Sequence, residues 1–448
     1  MSLLQAIPKI DKFISNKKFE KYPISLITKI SKKQIDILRK DILEKKVDEV
    51  NEESLILNVI KEYEEITSPS LQAVINATGI IVHTNLGRSL INKESFNRVI
   101  EVATSYNNLE YDLQKGKRGE RYAHITKTLK ELTGCEDAIV VNNNASAVFL
   151  ILNTFCKNKE VVVSRGELVE IGGSFRVPEV MSQSGAVLKE IGTTNKTHAR
   201  DYENAVNENT SMLMKVHKSN YSIEGFTSEV DFEEVVSIAK QNNVIDYYDM
   251  GSGHIIDLPF NLAQKEPSIT QIMKYNPSLL SFSGDKLLGS VQAGIIIGKK
   301  ELIEKIKKNQ LLRMLRVDKI TLALLEDNLN SYVKGNIQDI PTLNMLFTSL
   351  ETLEQRANIL KSNIEDICSC EVIKTQTLIG GGTTPNKKIP SIALSLKYQN
   401  YKPNKIEQIL RKENLIVRIE NDTVLLDFRS IQEDEIVKIT QIIKKVFS

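Results

Sequence analysis

Residues 281–294 read SFSGDKLLGSVQAG, and the rest of the chain is best understood from this stretch. An apolar run at 279–282 predicts a buried strand that breaks at Ser283-Gly284, and another at 293–297 predicts a second strand. Between them, Lys286 follows a core strand and is surrounded by small residues. Such a lysine can lose its proton and condense with an aldehyde. The alternative is a loop lysine whose amine extends to water.

Three upstream residues stand at the spacing that a pyridoxal 5'-phosphate (PLP) site requires. Asp249 ends an apolar run at 244–248 and lies 37 residues before Lys286. Ser283 lies three residues before the lysine, and Asn220 lies 29 residues before Asp249. PLP needs a lysine for its aldehyde, a carboxylate for its ring nitrogen, and donors for its hydroxyl and phosphate. This order and spacing favour an aspartate-aminotransferase-like PLP enzyme.

The composition limits the class of protein. The chain has 448 residues, of which 41% are hydrophobic and 26% charged, as is typical of a soluble globular protein with two or three domains. No apolar run reaches the ~18 residues of a membrane span, and the first residues carry no export signal. The cysteines are few and irregularly spaced, so we expect reduced thiols, no metal site and a cytoplasmic protein. They are Cys135, Cys156, Cys368 and Cys370.

Residues 1–66 are predicted to form a small helical domain with a basic surface. Apolar residues recur at helical spacing in two segments, Ile27, Ile30, Leu38 and Ile42, and then Leu57, Ile60 and Tyr63. Residues 1–46 carry twelve basic and five acidic side chains, a local charge of +7 in a chain whose net charge is +2. Such a domain can bind a phosphate backbone. The alternative is an ordinary solvated lysine-rich face.

Arginines recur in three segments of the chain. Residues 67–88 are predicted as a linker segment, whose last part, NATGIIVHTNLGR, ends at Arg88. The segment YDLQKGKRGER ends at Arg121, and Arg313 and Arg316 stand three apart in LLRMLRV, on one face if that segment is helical. Guanidinium groups in this arrangement favour an anion site. Ordinary loops with solvated arginines are the alternative.

Residues 89–334 alternate predicted strands and helices, which is typical of an α/β core with a mostly parallel sheet. The seven predicted strands are residues 138–141, 161–163, 186–191, 211–216, 244–249, 279–282 and 293–297. The first strand leads into an apolar helix whose start can bind a phosphate group, with an ordinary helix cap as the alternative. The residues at that start are Asn143, Asn144, Ala145 and Ser146.

Residues 335–448 are predicted to form a smaller α+β domain. We expect a helix at 343–363 and a strand at 391–396 on either side of the Gly380-Gly381-Gly382 loop. A hairpin that turns at Asn421-Asp422 and a last helix complete the domain.

Several long stretches resemble one known family. They are INATGIIVHTNLGRSLI, YDLQKGKRGERY, VVNNNASAV, VSRGELVEIGGSFRVPEVM, GTTNKTHARDY, KVHKSNYSIEGFT and FSGDKLLGSVQAGIIIGKKELIE. They closely resemble the bacterial L-seryl-tRNA(Sec) selenium transferases, also called selenocysteine synthases. LLRMLRVDKITLALLE, IGGGTTP and LLDFR extend the likeness over nearly the whole chain, less firmly over the first 66 residues. Departures are small: Ser290-Val291 replaces a frequent Gly-Pro, and Tyr248 stands where several members carry an additional aspartate.

The resemblance implies an α/β, fold type I PLP enzyme with a mostly parallel seven-stranded sheet, a small helical N-terminal domain and an α+β C-terminal domain. It implies conversion of L-seryl-tRNA(Sec) to L-selenocysteinyl-tRNA(Sec), by β-elimination of water to dehydroalanyl-tRNA and addition of selenium from selenophosphate. Lys286 would bind PLP and act in catalysis, with Asp285 beside it. Asp249 would protonate the ring nitrogen and Asn220 would meet the ring hydroxyl. Ser283 and the helix start, namely Asn143, Asn144, Ala145 and Ser146, would take the phosphate.

Three further expectations follow from the resemblance. The selenophosphate anion would be held by Arg88, Arg121, Arg313 and Arg316, because guanidinium binds phosphate oxygens bidentately. The N-terminal domain would bind the tRNA. The chain would form a homo-oligomer, a ring of dimers that is a decamer in this family.

Two other functions compete with this interpretation. Relatives with the same core act as PLP-dependent lyases on free amino acids or amino sugars, but they usually lack the basic N-terminal domain. A non-catalytic tRNA-binding protein is the second alternative. It is disfavoured by the presence of Lys286, Asp249, Asn220 and Ser283 together.

Overall fold

A computed structural model describes residues 3–171, 175–218, 220–262, 267–383 and 387–447. Parts of three quoted motifs, Gly172 to Ser174, Ser219 and Thr384-Pro385, lie outside these ranges. The chain divides into two compact units, Met1–Ala73 and Val74–Ser448. Among the described residues, no helix is both long enough and apolar enough to span a membrane.

The first unit is helical. It consists of α1 (Ile10–Ile14), α2 (Ile24–Leu43) and α3 (Glu52–Thr67), with short 3-10 turns at Leu3–Ala6 and Lys17–Phe19. Asn51 caps α3 by accepting a hydrogen bond from the Ser54 amide at 3.0 Å. Its core includes Phe13, Ile27, Ile30 and Val59. Leu57, which we expected on the buried stripe, is exposed, because α3 turns its neighbours Leu55, Ile56 and Val59 inward instead.

The second unit contains the remaining elements. Its helices are α4 (Lys93–Thr104), α5 (Ala123–Thr133), α6 (Asn144–Phe155), α7 (Val177–Ser184), α8 (Ala199–Ala205), α9 (Phe232–Gln241), α10 (Ile269–Met273), α11 (Lys300–Lys308), α12 (Leu312–Leu315), α13 (Lys319–Val333), α14 (Pro341–Phe347), α15 (Leu350–Ile364), α16 (Pro403–Lys412) and α17 (Glu435–Phe447). Its strands are β1 (Ile75–Ala77), β2 (Tyr111–Asp112), β3 (Lys117–Arg118), β4 (Asp137–Val141), β5 (Glu160–Ser164), β6 (Glu170–Ile171), β7 (Phe175–Arg176), β8 (Val187–Ile191), β9 (Thr210–Val216), β10 (Ile245–Gly251), β11 (Leu279–Ser283), β12 (Gly294–Gly298), β13 (Ser369–Leu378), β14 (Lys388–Lys397), β15 (Leu415–Glu420) and β16 (Thr423–Asp427).

A seven-stranded sheet forms the centre of this unit, in the order β4-β12-β11-β10-β9-β5-β8 within the described residues. All neighbouring pairs are parallel except those of β12, which runs antiparallel to both β4 and β11. Strands β4, β11 and β12 are buried along their whole length, as the continuous apolar runs predicted. The seven predicted strands are confirmed, each within one or two residues at its ends.

A second sheet, β1-β15-β16-β14-β13, forms the C-terminal part. Strand β1 lies inside the segment 67–88 that we predicted as a linker, yet it pairs in parallel with β15. That segment therefore contributes to the C-terminal sheet, while the predicted domain boundaries at residues 66 and 334 stay a prediction. The hairpin turn at Asn421-Asp422 is confirmed, and both residues have the positive φ that such a turn requires.

The helix that we predicted over 343–363 is two helices. α14 ends at Phe347, and Ser349 caps α15 by accepting a hydrogen bond from the Thr352 amide at 3.1 Å. Apolar residues continue at helical spacing across the break, so the spacing alone concealed it.

Candidate active site

The candidate site lies at the carboxyl edge of the seven-stranded sheet. Strands β10 and β11 are parallel neighbours, so Asp249 near the end of β10 and Lys286, three residues beyond β11, are brought to the same edge. Helix α6 begins at this edge directly after β4, and its first residue, Asn144, reaches Asp249. The fold thus gathers three segments that are far apart in sequence.

Asp249 is a buried carboxylate with a defined orientation. Its Oδ1 accepts hydrogen bonds from Asn144 Nδ2 at 2.7 Å and from the Gly251 amide at 3.0 Å. Burial raises the pKa of Asp249 above its ordinary value, while these hydrogen bonds and the charges of Lys286 and His217 partly offset the shift. A carboxylate in this environment is stabilised by a cation beside it.

Lys286 is 8% exposed and lies against the glycine loop of the C-terminal sheet. A Cβ atom added to Gly382 would come within 2.6 Å of Lys286 Nζ, and Gly382 has a φ of +77°. The backbone conformation favours glycine there, and an added Cβ would displace the lysine amine. The loop also contacts the segment before Arg88, since the Val82 amide donates to the Ile379 carbonyl at 2.7 Å.

Asp285 is held between two donors. Ser283 Oγ donates to its Oδ1 at 2.7 Å, and the Arg88 guanidinium donates to its Oδ2 at 2.8 Å. Asp285 is 5% exposed, and a carboxylate so deeply buried requires such partners. In this structure Ser283 and Arg88, which we expected to hold the cofactor phosphate and selenophosphate, both bind Asp285. Their expected roles stay predictions.

The start of α6 has the features of an anion site. Asn143 caps the helix by accepting a hydrogen bond from the Ser146 amide at 2.8 Å. Asn144, Ala145 and Ser146 form the first turn, whose amides have no partner within an α-helix. The side-chain oxygen of Asn144 is buried without a hydrogen-bond partner in the described part of the chain.

Asn220 binds a different part of the chain in this structure. Its side chain is exposed and donates to the Glu170 carbonyl at 2.8 Å. The residue beside Asp249 is instead His217, which follows β9 and whose amide donates to the Asp249 carbonyl at 2.9 Å. The predicted contact of Asn220 with a ring hydroxyl therefore stays a prediction that this structure does not assemble.

Three of the four predicted arginines line one cleft of about 420 Å³. Its charged lining consists of six basic residues, Arg118, Arg121, Lys307, Lys308, Arg313 and Arg316, and two acidic residues, Glu110 and Glu120. Glu110 pairs with Arg121 at 2.8 Å and with Arg316 at 3.6 Å. The hydrogen bond from Arg121 lowers the pKa of Glu110.

The cleft adjoins the start of α6. The Asn142 amide donates to the Leu315 carbonyl at 2.9 Å, and Arg316 forms a β-bridge with Val141. The segment that carries Arg313 and Arg316 therefore runs beside the end of β4. Arg88 is not a lining residue of this cleft, since its guanidinium is directed to Asp285.

Sequence reasoning missed three residues at the site. Ser89 contacts the lysine loop, Gly382 leaves space for the lysine amine, and His217 lies next to Asp249. The glycine triplet at 380–382 was a usable signal, because consecutive glycines often mark a close approach of the backbone. No local signal singled out Ser89 or His217.

Comparison with known proteins identifies the family of this chain. The sequence model of the L-seryl-tRNA selenium transferase family matches residues 74–432. An L-seryl-tRNA(Sec) selenium transferase of Aliarcobacter butzleri is 72% identical over 100% of this chain and 99% of its own length. That of Sulfurimonas denitrificans is 63% identical, again over 100% of this chain and 99% of its own.

Among solved structures, a D-glucosaminate-6-phosphate ammonia-lyase is similar in fold. It has a TM-score of 0.61 and 19% identity, and the match covers 86% of this chain and 99% of that one. The predicted fold class, that of the fold type I PLP enzymes, is confirmed. The family follows from the sequence relatives, whose identity is far above the level at which only the fold is shared. The chain belongs to the L-seryl-tRNA selenium transferase family.

Proposed function

We propose that this chain converts L-seryl-tRNA(Sec) to L-selenocysteinyl-tRNA(Sec), with selenophosphate as the selenium donor and PLP as the cofactor, in selenoprotein biosynthesis. The observation that carries the proposal is the placement of buried Lys286 and buried Asp249 at one sheet edge in a chain of this family. A lysine and a carboxylate in this relation are what a PLP enzyme requires.

The residues present fit PLP. Asp249 is buried with a raised pKa, and a protonated ring nitrogen would supply the positive charge that its carboxylate lacks. Asn144 Oδ1 and, after β10, Ser252 Oγ and His254 Nε2 are buried without partners among the described residues. The absence of a Cβ at Gly382 leaves space at the lysine amine.

Bound PLP would supply an electron sink that stabilises negative charge at the α-carbon of the seryl group. The Lys286 amine would remove the α-proton and return it to the departing serine hydroxyl, which leaves as water. Asp249 would hold the proton on the ring nitrogen. Asp285, bound by Ser283 and Arg88, would hold the loop that carries Lys286 in place.

The arginine cleft supports a selenophosphate site. Six basic residues face two acidic ones, and the Glu110 carboxylate holds Arg121 and Arg316 in place. Planar guanidinium groups bind tetrahedral oxyanions bidentately, so Arg313 and Arg316 are proposed as direct ligands. Arg88 is proposed as a further ligand, which would exchange its bond to Asp285 for one to the anion.

The first unit supports tRNA binding. Helix α2 exposes Lys29, Lys32, Arg39 and Lys40. A fifth exposed basic residue, Lys33, is partly neutralised by Glu62 at 2.5 Å, as Arg39 is by Asp36 at 2.9 Å. Lysines on one exposed face neutralise phosphates with a strong dependence on salt. Because residues 1–73 form a unit of their own, their deletion is expected to weaken tRNA binding while the absorption of bound PLP stays unchanged. Unchanged tRNA affinity in that truncation would refute this role.

We also propose that the chain forms a homo-oligomer, a ring of dimers, and that it is located in the cytoplasm. Helix α4 presents Phe96 and Ile100, four residues apart, with exposures of 52% and 47%. An exposed apolar face of this kind supports association with another protein surface. Analytical ultracentrifugation of the intact protein would measure the number of subunits.

The decisive experiment follows radiolabelled serine through the reaction. Purified protein loaded with PLP is incubated with labelled seryl-tRNA(Sec) and selenophosphate, and the amino acid is released and identified. Labelled selenocysteine that depends on selenophosphate is the expected product. Unchanged serine from a protein that retains bound PLP would contradict the proposal and favour a lyase of free amino acids or amino sugars. Protein that binds tRNA but not PLP would indicate a non-catalytic role.

A further inference from the structure

Backbone carbonyls of the loop that carries Lys286 are bound by side chains from two other parts of the chain. On one side, Ser89 Oγ lies 2.9 Å from the Asp285 carbonyl oxygen and 2.8 Å from the Lys286 carbonyl oxygen. The Ser89 amide also donates to the Asp285 carbonyl, at 3.3 Å. One hydroxyl thus contacts the carbonyl oxygens of two consecutive residues, Asp285 and Lys286.

Helix α13 holds the other side of the same loop. Tyr332 donates its hydroxyl to the Leu288 carbonyl at 2.9 Å, and Asn328 Nδ2 donates to the Gly289 carbonyl at 3.1 Å. Within the loop, the Gly289 amide closes a turn on the Lys286 carbonyl at 2.9 Å. The part after the lysine is therefore fixed by a helix, whereas the part at the lysine depends on Ser89.

Ser89 is itself placed by a constrained segment. Its neighbour Arg88 has a φ of +63°, an unfavourable backbone conformation for a residue with a side chain, and pairs with Asp285. Further back, Val82 donates to Ile379 beside the glycine loop whose Gly382 contacts the lysine amine. The segment therefore contacts both the loop that carries the lysine and the loop that faces its amine.

We propose that Ser89 is a positioning residue that fixes the main chain at Asp285-Lys286 and thereby sets where the lysine amine lies. This inference rests on the proposed function. Without the hydroxyl, the Asp285 carbonyl keeps only the longer bond from the Ser89 amide, and the peptide between Asp285 and Lys286 can rotate. The lysine side chain has four rotatable bonds, so a small rotation of its backbone displaces the amine by a larger distance. Arg88 would hold the Asp285 carboxylate but not the peptide plane.

The test compares Ser89→Ala with Ser89→Thr and a matched control, Ser211→Ala. Ser211 is also half-buried and donates to one carbonyl, that of Phe155 at 2.7 Å. It lies near the start of β9, whereas Asp249 pairs with Val216 at the end of that strand. We expect Ser89→Ala to lower kcat on the order of 10- to 100-fold, with KM for seryl-tRNA(Sec) changed less than about twofold. Ser89→Thr, which keeps the hydroxyl, should restore most of kcat, and Ser211→Ala should keep it.

Two readouts do not depend on turnover. Hydrogen exchange of the PLP-free protein should be faster at the amides of Gly289 and Ser290 in Ser89→Ala than in the wild type, and unchanged in Ser211→Ala. The pH midpoint of the visible absorption band of bound PLP should shift in Ser89→Ala alone. These readouts test the positioning role even if the wild type transfers no selenium, which would contradict only the proposed function.

The inference is overturned if Ser89→Ala matches the wild type in kcat, loop exchange and absorption midpoint. It is also overturned if Ser211→Ala lowers kcat and Tm as much as Ser89→Ala, since the effect would then be a general loss of stability. If Ser89→Ala does not fold, Ser89→Cys, which keeps the volume and weakens the donor, is measured in the same way.

Discussion

The lysine site and the arginine cleft both gather charges, but they hold them in opposite ways. Asp249, Asp285 and Lys286 are 6%, 5% and 8% exposed, and hydrogen bonds at 2.7–3.0 Å orient both carboxylates. In the cleft, Arg313 is exposed, and the Arg316 side chain is 35% exposed and lies 3.6 Å from the Glu110 carboxylate. One region has charges removed from water, and the other has charges that water and salt still reach.

This difference predicts different consequences of substitution. A buried charge without its partner is costly, and its geometry is fixed by the surrounding structure, so changes there should act on kcat. An exposed charge is screened, so changes there should act on the affinity for an anion and depend on ionic strength.

Replacing Lys286 should have the largest effect. We expect Lys286→Ala to reduce selenocysteine formation by at least about 10³-fold, because the amine is the proposed site of cofactor attachment and of proton transfer. The visible absorption band of bound PLP should be lost as well, while tRNA binding measured by filter retention should stay near the wild-type value. Substantial product from this variant would contradict the assignment of the site.

Asp249→Asn should come next, with a fall in kcat on the order of 10²-fold. At neutral pH, however, the same substitution should stabilise the folded PLP-free protein. Because the pKa of Asp249 is raised by burial, the folded PLP-free protein binds this proton more tightly than the unfolded chain does. Its contribution to the free energy of unfolding is therefore present at low pH and lost as pH rises from the unfolded pKa through the folded one.

Denaturant unfolding of PLP-free protein between about pH 4 and pH 7 tests this sign. Relative to Asp249→Asn, the wild type should lose stability as pH rises. Asp246→Asn is the matched control, since Asp246 lies on the same strand, is buried and also has a raised pKa, but it binds Ser278 far from the site. That control should alter the pH dependence of stability and leave the PLP absorption unchanged. An equal loss of absorption in both variants would remove the special role of Asp249.

Gly382→Ala should reduce kcat about 10- to 100-fold by displacing the lysine amine. The new methyl group would lie 2.6 Å from Lys286 Nζ, and the φ of +77° adds backbone strain. Gly335→Ala separates the two causes, because Gly335 has a φ of +73° and no atom within 4 Å of its added Cβ. Both variants should lose similar stability in a melting experiment, but only Gly382→Ala should lose activity. Equal activity in the two would mean that the contact with the amine is unimportant.

The parts of the structure that the sequence predicted are those that depend on local patterns. The seven sheet strands are buried runs of Val, Ile and Leu between turn signals, and Asn421-Asp422 suits the positive φ of a tight hairpin. Strand β13 was missed because it lies at a sheet edge, is exposed or half-buried at all but one of its residues, and contains lysine and glutamate among its apolar residues. The break before α15 was missed because its apolar spacing continues across Ser349.

Two residues of the candidate site could be selected from the sequence because their residue type is unusual at the end of a buried strand. Lys286 and Asp249 were found because a lysine and an aspartate after buried strands have few structural explanations. Ser89 at the Lys286 carbonyl and Gly382 near the Lys286 amine are distant from the lysine in sequence, and no local pattern shows which loop they approach. Asn220 was expected beside the cofactor from its spacing, but spacing does not determine which way a loop after a strand turns.

Arg313→Ala should have the smallest effect, which would sharpen the contrast with the lysine site. Because Arg313 is exposed, we expect KM for selenophosphate to rise about five- to tenfold and kcat to change less than about twofold. The increase should shrink at high salt, since screening weakens the wild-type interaction.

Lys308→Ala is the control, because Lys308 lines the same cleft but carries a point charge without the bidentate geometry of guanidinium, so KM should rise less. A large loss of kcat without a change in KM would place Arg313 at the reacting atoms and make the cleft part of the catalytic site.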